Sequence, residues 1–323
     1  MFLNIIFLII GFVILIKGAD WLVEGASSLA KKFNVSDLAI GLTVVAIGTS
    51  MPELVVNVFA AYKGHSDIVF GNIIGSNNLN LFLVLGILGM VAPLTIQRSS
   101  LFKEIPISLG FTLLLMFLAN NFFLSETKTF TRLEGLFFLA LFALFLIYAY
   151  TQLKRDELTK REKKMTNPFL ASLYIILGLV LLGLGGHLVE SNSVLIAASL
   201  GISQAVIGLT VVAGGTSMPE LATSLVAVLK KKGDIAIGNI IGSNISNILF
   251  ILGLSAVIKT QNFNSKFNQD LLLLIVGTIL LFFAGLLGKN EREIDRWEAG
   301  FLFLVYSAYI GYLVIIETAK SPF

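Results

Sequence analysis

Residues 41–86 recur at residues 208–253 without a gap, and 27 of the 46 paired positions are identical. The first copy contains GLTVVAIGTSMPEL and HSDIVFGNIIGSNNLN; the second contains GLTVVAGGTSMPEL and GDIAIGNIIGSNISN, at a constant offset of 167. Upstream, after a one-residue shift, Leu22, Val23 and Glu24 pair loosely with Leu188, Val189 and Glu190. Such a chain folds as two related halves, and any site built from the repeated text is built twice.

The solvent of those halves follows from composition. Hydrophobic residues make up 56% of the 323 residues and charged residues only 13%, far from the balance of a water-soluble domain. About 20 apolar residues cross the hydrocarbon of a bilayer as a helix. Stretches of that kind lie at 2–26, 37–62, 68–92, 104–121, 131–151, 168–197, 203–229, 234–258, 269–288 and 297–317. The first has no basic region before it and no small-residue cleavage site after it, so it reads as a retained helix rather than a signal peptide. The sequence therefore predicts an all-α membrane protein with ten transmembrane helices, five in each repeat. Because five is odd, the second half enters from the opposite face and the repeats are inverted. The expected units are residues 1–151, a cytoplasmic linker at 152–167, and residues 168–323.

Charge orients the chain. Cytoplasmic loops collect lysine and arginine. With the N-terminus outside, the inward segments hold 16 basic residues, from Lys31 and Lys32 through the 152–167 cluster to Arg296, against 6 outside and Lys17 near a boundary. Both termini are expected to be extracytoplasmic, in a multi-pass protein of the plasma membrane. The 152–167 linker, with its charged stretch KRDELTKREKK, reads as a solvated connector. Basic residues confined to loops exclude nucleic acid as a partner, and no obligate protein partner is evident. The chain has no cysteine, which removes disulfides and thiolate metal sites.

The chemistry lies in the repeated text. Glu53 and Glu220 fall in the middle of the second and seventh spans, where an ionised carboxylate is costly without a partner, and neither motif contains a lysine or arginine. Thr49 and Ser50 precede Glu53 by four and three positions, as Thr216 and Ser217 precede Glu220, so each set is expected on one helix face. Pro52 and Pro219 cannot donate a backbone hydrogen bond, and each ring crowds the carbonyl four residues earlier, at Gly48 and Gly215. A break there frees backbone carbonyls, which membrane depth tolerates only where they line a cavity. Asn72, Ser76 and Asn80, then Asn239, Ser243 and Asn247, repeat at intervals of four and add neutral oxygen donors on one face. Gly71 and Gly75, with Gly238 and Gly242, form small-xxx-small pairs that allow close approach to the broken helix. Asp20, Glu24 and Glu190 read as interfacial, and His65 and His187 as loop and packing residues.

A site of carboxylates, hydroxyls, amides and carbonyls without sulfur or histidine selects hard cations, calcium or sodium over zinc or copper. Two carboxylates neutralise one divalent or two monovalent ions and stand empty only at a cost, which is the physical basis of exchange. Ser50 and Ser217 lack a nearby histidine and a GxSxG elbow, so the chain is not expected to be an enzyme, and it needs no cofactor.

GTSMPEL with GNIIGSN, twice over, resembles the cation/calcium exchanger superfamily, in particular its prokaryotic sodium/calcium exchangers, across essentially the whole chain. The resemblance implies antiport of sodium against calcium by alternating access. It makes Glu53 and Glu220 the central ligands, assisted by the carbonyls of Thr49 and Thr216. Flanking sodium positions would use the carbonyls of Ala46 and Ala213 and the side chains of Ser50, Ser76, Ser217 and Ser243. Asn80 and Asn247 take the remaining central positions. Some relatives, among them the potassium-dependent branch, have aspartate in place of Asn247. The proton-coupled branch carries a GNxxE pattern, whereas here no glutamate lies three residues after Asn72 or Asn239; calcium/proton antiport is the alternative to sodium coupling.

Overall fold

The computed structural model describes residues 1–33, 35–123, 128–152, 167–200, 213–287 and 292–320. All but the end residues of the expected linker, and residues 203–212 of the expected seventh span, lie outside them.

Helices dominate. In chain order they are α1 (Phe2–Phe33), α2 (Asp37–Thr49), α3 (Met51–Lys63), α4 (Ser66–Val91), α5 (Ser100–Ala119), α6 (Arg132–Gln152), α7 (Pro168–Ser199), α8 (Ala213–Gly215), α9 (Met218–Leu229), α10 (Gly233–Ile258), α11 (Phe267–Leu287) and α12 (Arg296–Lys320). Among the described residues eight are long and apolar enough to cross a membrane. The pair α2 and α3, bent by 49° at its break, makes a ninth. The expected breaks are present, because Pro52 and Pro219 sit in the first turns of α3 and α9, where a missing N–H costs nothing. Ser50 and Ser217, immediately before them, leave the helical region at φ −82°, ψ 10° and φ −89°, ψ 7°.

Burial sorts the helices into an inner and an outer set. The apolar windows of α4 and α10 are 78% and 83% buried, and that of α12 only 11%. The inner helices are those that carry the repeated asparagines and serines. The outer ones expose large apolar side chains such as Phe7, Val13, Leu144, Leu304 and Ile315, which suits lipid as their solvent.

Glycine sets the closest helix contacts. A Cβ at Gly18 would lie 2.8 Å from the carbonyl oxygen of Gly178, and one at Gly25 would lie 2.6 Å from that of Ala171. Gly11 instead faces Leu188 and Val189, so α1 and α7 run antiparallel with their backbones in contact. Gly238 and Gly242 approach α2, as a Cβ on either would fall 2.6 Å from the carbonyl oxygen of Leu38 or Leu42. The predicted close approach is thus made to the broken helix of the other half. Gly71 meets only the ring of Phe267, and Gly75 has nothing within 4 Å among the described residues.

Among the described residues four two-residue strands depart from the expected all-helical chain. β1 (Leu94–Thr95) pairs antiparallel with β4 (Glu293–Ile294), and β2 (Thr129–Phe130) with β3 (Gln261–Asn262). Each ladder ties a loop of the first half to a loop of the second.

Candidate cation site

Glu53 and Glu220 are each the third residue of the helix that restarts after a break, and both are 0% exposed. The breaks decide what surrounds them. In a straight helix Ser50 would lie on the face of Glu53, as the spacing predicts. The chain instead turns at Ser50, and its Oγ donates to Glu220 Oε1 of the other half at 2.9 Å. Ser217 Oγ donates in the same way to Glu53 Oε1 at 3.1 Å. Ser76 and Ser243 lie 3.5 Å from Glu53 Oε1 and Glu220 Oε1 respectively, at the limit of a hydrogen bond.

The threonines also cross between halves. Thr49 Oγ1 donates to Asn239 Oδ1 at 3.0 Å, and Asn72 Nδ2 donates to Thr216 Oγ1 at 3.3 Å. The Ala46 carbonyl lies 3.3 Å from Thr49 Oγ1 and 3.4 Å from Ser243 Oγ, so this backbone oxygen is turned inward among hydroxyls. Ala213 opens α8 in the second half. Asn80 and Asn247 begin or sit within π-helical turns at Leu79–Val84 and Asn247–Leu252, and a third such turn, Gly41–Val45, lies just before Ala46. Wider turns of this kind shift the register of side chains along a helix and often accompany functional sites.

Among the described residues eleven buried side-chain oxygens lack a hydrogen-bond partner, Glu104 Oε2 among them, and four of the eleven form repeat-related pairs. Glu53 Oε2, Glu220 Oε2, Asn80 Oδ1 and Asn247 Oδ1 are all buried and have no hydrogen-bond partner. A buried acceptor without a donor costs free energy, and here two belong to carboxylates. No lysine or arginine is buried among the described residues. Ion pairs among the described residues include Lys17–Asp20, Lys230–Asp20, Lys230–Glu24 and Lys232–Asp37, none of which involves Glu53 or Glu220. Two carboxyl and two amide oxygens without protein donors suit a hard cation that exchanges its water for oxygen ligands.

Sequence reasoning missed the residues behind this set. Asn57 Nδ2 donates to Asn72 Oδ1 at 2.6 Å, and Asn239 Nδ2 donates to the repeat-related Ser224 Oγ at 2.9 Å. Asn77 and Asn244 hold the amides of Asn247 and Asn80. The signal for that pair was present, since each is the asparagine of GSN in its own copy. Glu104, fully buried and bonded by Tyr148 Oη at 2.5 Å, lies outside the repeated text and gave no signal.

The duplicated geometry has a counterpart among known proteins. A family model described as sodium/calcium exchanger protein matches residues 3–151 and again residues 170–315. The chain belongs to the sodium/calcium exchanger protein family. The two family matches begin 167 residues apart, the offset of the internal repeat. CaxA of Alkalimonas amylolytica is 38% identical over 320 residues, covering 96% of this chain and 98% of its own. The sodium/calcium exchanger MaX1 of Methanosarcina acetivorans is 31% identical over 350 residues, covering 97% and 99%. Among solved structures, the sodium-calcium exchanger NCX_Mj soaked with 10 mM Na+ and zero Ca2+ superposes with a TM-score of 0.80 at 30% identity, over 99% of both chains. The same exchanger has been soaked with Sr2+ and with Ca2+. The exchanger fold is therefore a multi-pass helical membrane fold in this chain too.

Proposed function

We propose that the chain is a secondary antiporter that exchanges sodium for calcium by alternating access, at a site shared between its two halves. The observation that carries this is the repeat-related pair Glu53 and Glu220, buried without a cationic partner among the described residues, each with Oε2 free of hydrogen bonds, as are the amide oxygens of the repeat-related pair Asn80 and Asn247. Calcium would be held by Glu53, Glu220, Asn80 and Asn247 with the carbonyls of Thr49 and Thr216. Sodium would be held by the same carboxylates and by the flanking Ala46, Ala213, Ser50, Ser76, Ser217 and Ser243. Since either load neutralises both carboxylates, the loaded forms can reorient in the bilayer, whereas the bare site carries two buried charges. That difference ties the inward movement of one ion to the outward movement of the other. Nothing in this cycle makes or breaks a covalent bond.

Ten spans in two inverted halves, residues 1–151 and 168–323 joined by the 152–167 linker, supply the site. Two features support this topology. The loops of a two-residue ladder must lie on the same membrane face, since such a strand extends only about 7 Å. The ten-span reading agrees with this, since it places four spans, an even number, between Phe130 and Gln261. Secondly, Gly11 and Gly18 recur as Gly178 and Gly185 at an offset of 167, without the one-residue shift that pairs Leu22–Glu24 with Leu188–Glu190, and α1 and α7 pack antiparallel, as inverted equivalents do. The basic residues then put both termini outside the plasma membrane.

Flux in proteoliposomes tests the proposal. Calcium uptake should follow an imposed sodium gradient, and sodium on the same side should compete with calcium. Uptake driven by a pH gradient alone would identify a calcium/proton antiporter instead, and undiminished calcium affinity at high sodium would rule out a shared site.

A further inference from the structure

Behind the four free oxygens lies a closed set of asparagines drawn from both halves. Asn77 Nδ2 donates to the backbone carbonyl of Asn244 at 3.1 Å, and Asn244 Nδ2 donates to the backbone carbonyl of Asn77 at 3.3 Å. The other end of each amide faces a residue of the site. Asn77 Oδ1 accepts from Asn247 Nδ2 at 2.9 Å, and Asn244 Oδ1 accepts from Asn80 Nδ2 at 3.2 Å. All four side chains are buried, the most open being Asn244 at 5%.

This arrangement fixes which way each amide points. An amide can swap its oxygen and nitrogen by a half-turn, and only its hydrogen bonds decide between the two orientations. A backbone carbonyl can only accept. The carbonyl of Asn244 therefore holds Asn77 with Nδ2 toward it and Oδ1 away. That oxygen in turn requires a donor from Asn247, so Asn247 turns its Nδ2 to Asn77 and leaves Oδ1 free. The mirror sequence runs from the carbonyl of Asn77 through Asn244 to Asn80. A half-turn at Asn247 would set two acceptors against each other and point an NH2 group where a cation needs an oxygen.

We propose that Asn77 and Asn244 are positioning residues that lock the amide oxygens of Asn247 and Asn80 toward the transported cation, each acting on the opposite half. The assignment rests on the reading of Asn80 and Asn247 as ligands and adds how they are kept competent. It also makes the orientation of either ligand depend on the junction of α4 with α10, because both backbone carbonyls lie there.

A double-mutant cycle tests this, read as the calcium concentration for half-maximal sodium-driven flux in proteoliposomes. Asn77→Ala frees Asn247 to turn, and half-saturation should rise about 10–100-fold, the usual cost of losing an outer-shell partner. Asn247→Asp presents an oxygen in either orientation and needs no such lock. In that background, where the second aspartate oxygen faces Asn77 Oδ1 as acceptor against acceptor, Asn77→Ala should raise half-saturation by less than about twofold, or lower it as that repulsion is relieved. An equal loss in both backgrounds would overturn the assignment, since a purely structural role of Asn77 does not depend on the group at 247. Asn244→Ala with Asn80→Asp repeats the cycle from the other half and serves if Asn77→Ala does not fold. Asn80→Ala and Asn247→Ala separate the two levels. If neither alters calcium affinity, the ligand reading itself fails; if both do and Asn77→Ala and Asn244→Ala do not, only the positioning role fails.

Discussion

Ser50 donates to Glu220 across the junction of the two halves, at 2.9 Å. With its counterpart from Ser217 to Glu53 at 3.1 Å, this contact makes each carboxylate depend on the helix break of the other half. A conformational change at one break is therefore felt at the opposite carboxylate.

The first prediction concerns these serines. A hydrogen bond to a charged group contributes about 1.5–3 kcal/mol, so Ser50→Ala and Ser217→Ala should each weaken ion binding by roughly 10–100-fold. Because the contacts cross, Ser50→Ala should be strongly non-additive with Glu220→Gln and close to additive with Glu53→Gln. Isothermal titration with calcium in detergent, over the two double-mutant cycles, checks the order of the couplings.

Removing either carboxylate has a larger effect. Glu53→Gln and Glu220→Gln leave one negative charge for a divalent ion, and breaking a buried charge pair costs about 3–5 kcal/mol. Calcium flux should fall by more than about 100-fold while the purified variants elute as folded protein. Flux at the level of the unaltered protein from either variant would remove the carboxylates from the centre of the mechanism.

The antiparallel contact of α1 and α7 predicts sensitivity far from the ions. A Cβ at Gly18 would meet the backbone of α7 at 2.8 Å, both at the Gly178 oxygen and at the Leu182 nitrogen, and backbone cannot move aside as a side chain can. Gly18→Val should destabilise the protein by about 1–3 kcal/mol, seen as a lower Tm. Gly110→Val, where nothing lies within 4 Å among the described residues, should leave Tm nearly unchanged.

Potassium should not be required. Asn247 supplies a neutral amide oxygen where the resemblance implies aspartate in potassium-dependent relatives. Potassium bound beside calcium would set three positive charges against two carboxylates, an expensive excess at membrane depth. Sodium-driven calcium flux should be unchanged when choline replaces potassium on both sides at matched voltage, and strict dependence on potassium would refute the charge argument.

Much of this was legible in the residues alone. The apolar stretches, the breaks at Pro52 and Pro219, and the burial of Glu53 and Glu220 follow from local rules, because a membrane helix must satisfy its own backbone and proline cannot. The duplication further told that a buried carboxyl in one half would have a counterpart in the other. It could not tell whether Ser50 serves Glu53 or Glu220, since both halves carry the same text and either pairing satisfies the same spacing. The turn at Ser50 and the packing of one half against the other decided that. In the same way Asn77 and Asn244 looked like two more polar residues on a helix. Each reaches a backbone carbonyl 167 residues away, and only the close packing of α4 with α10 brings an acceptor of fixed polarity to that point.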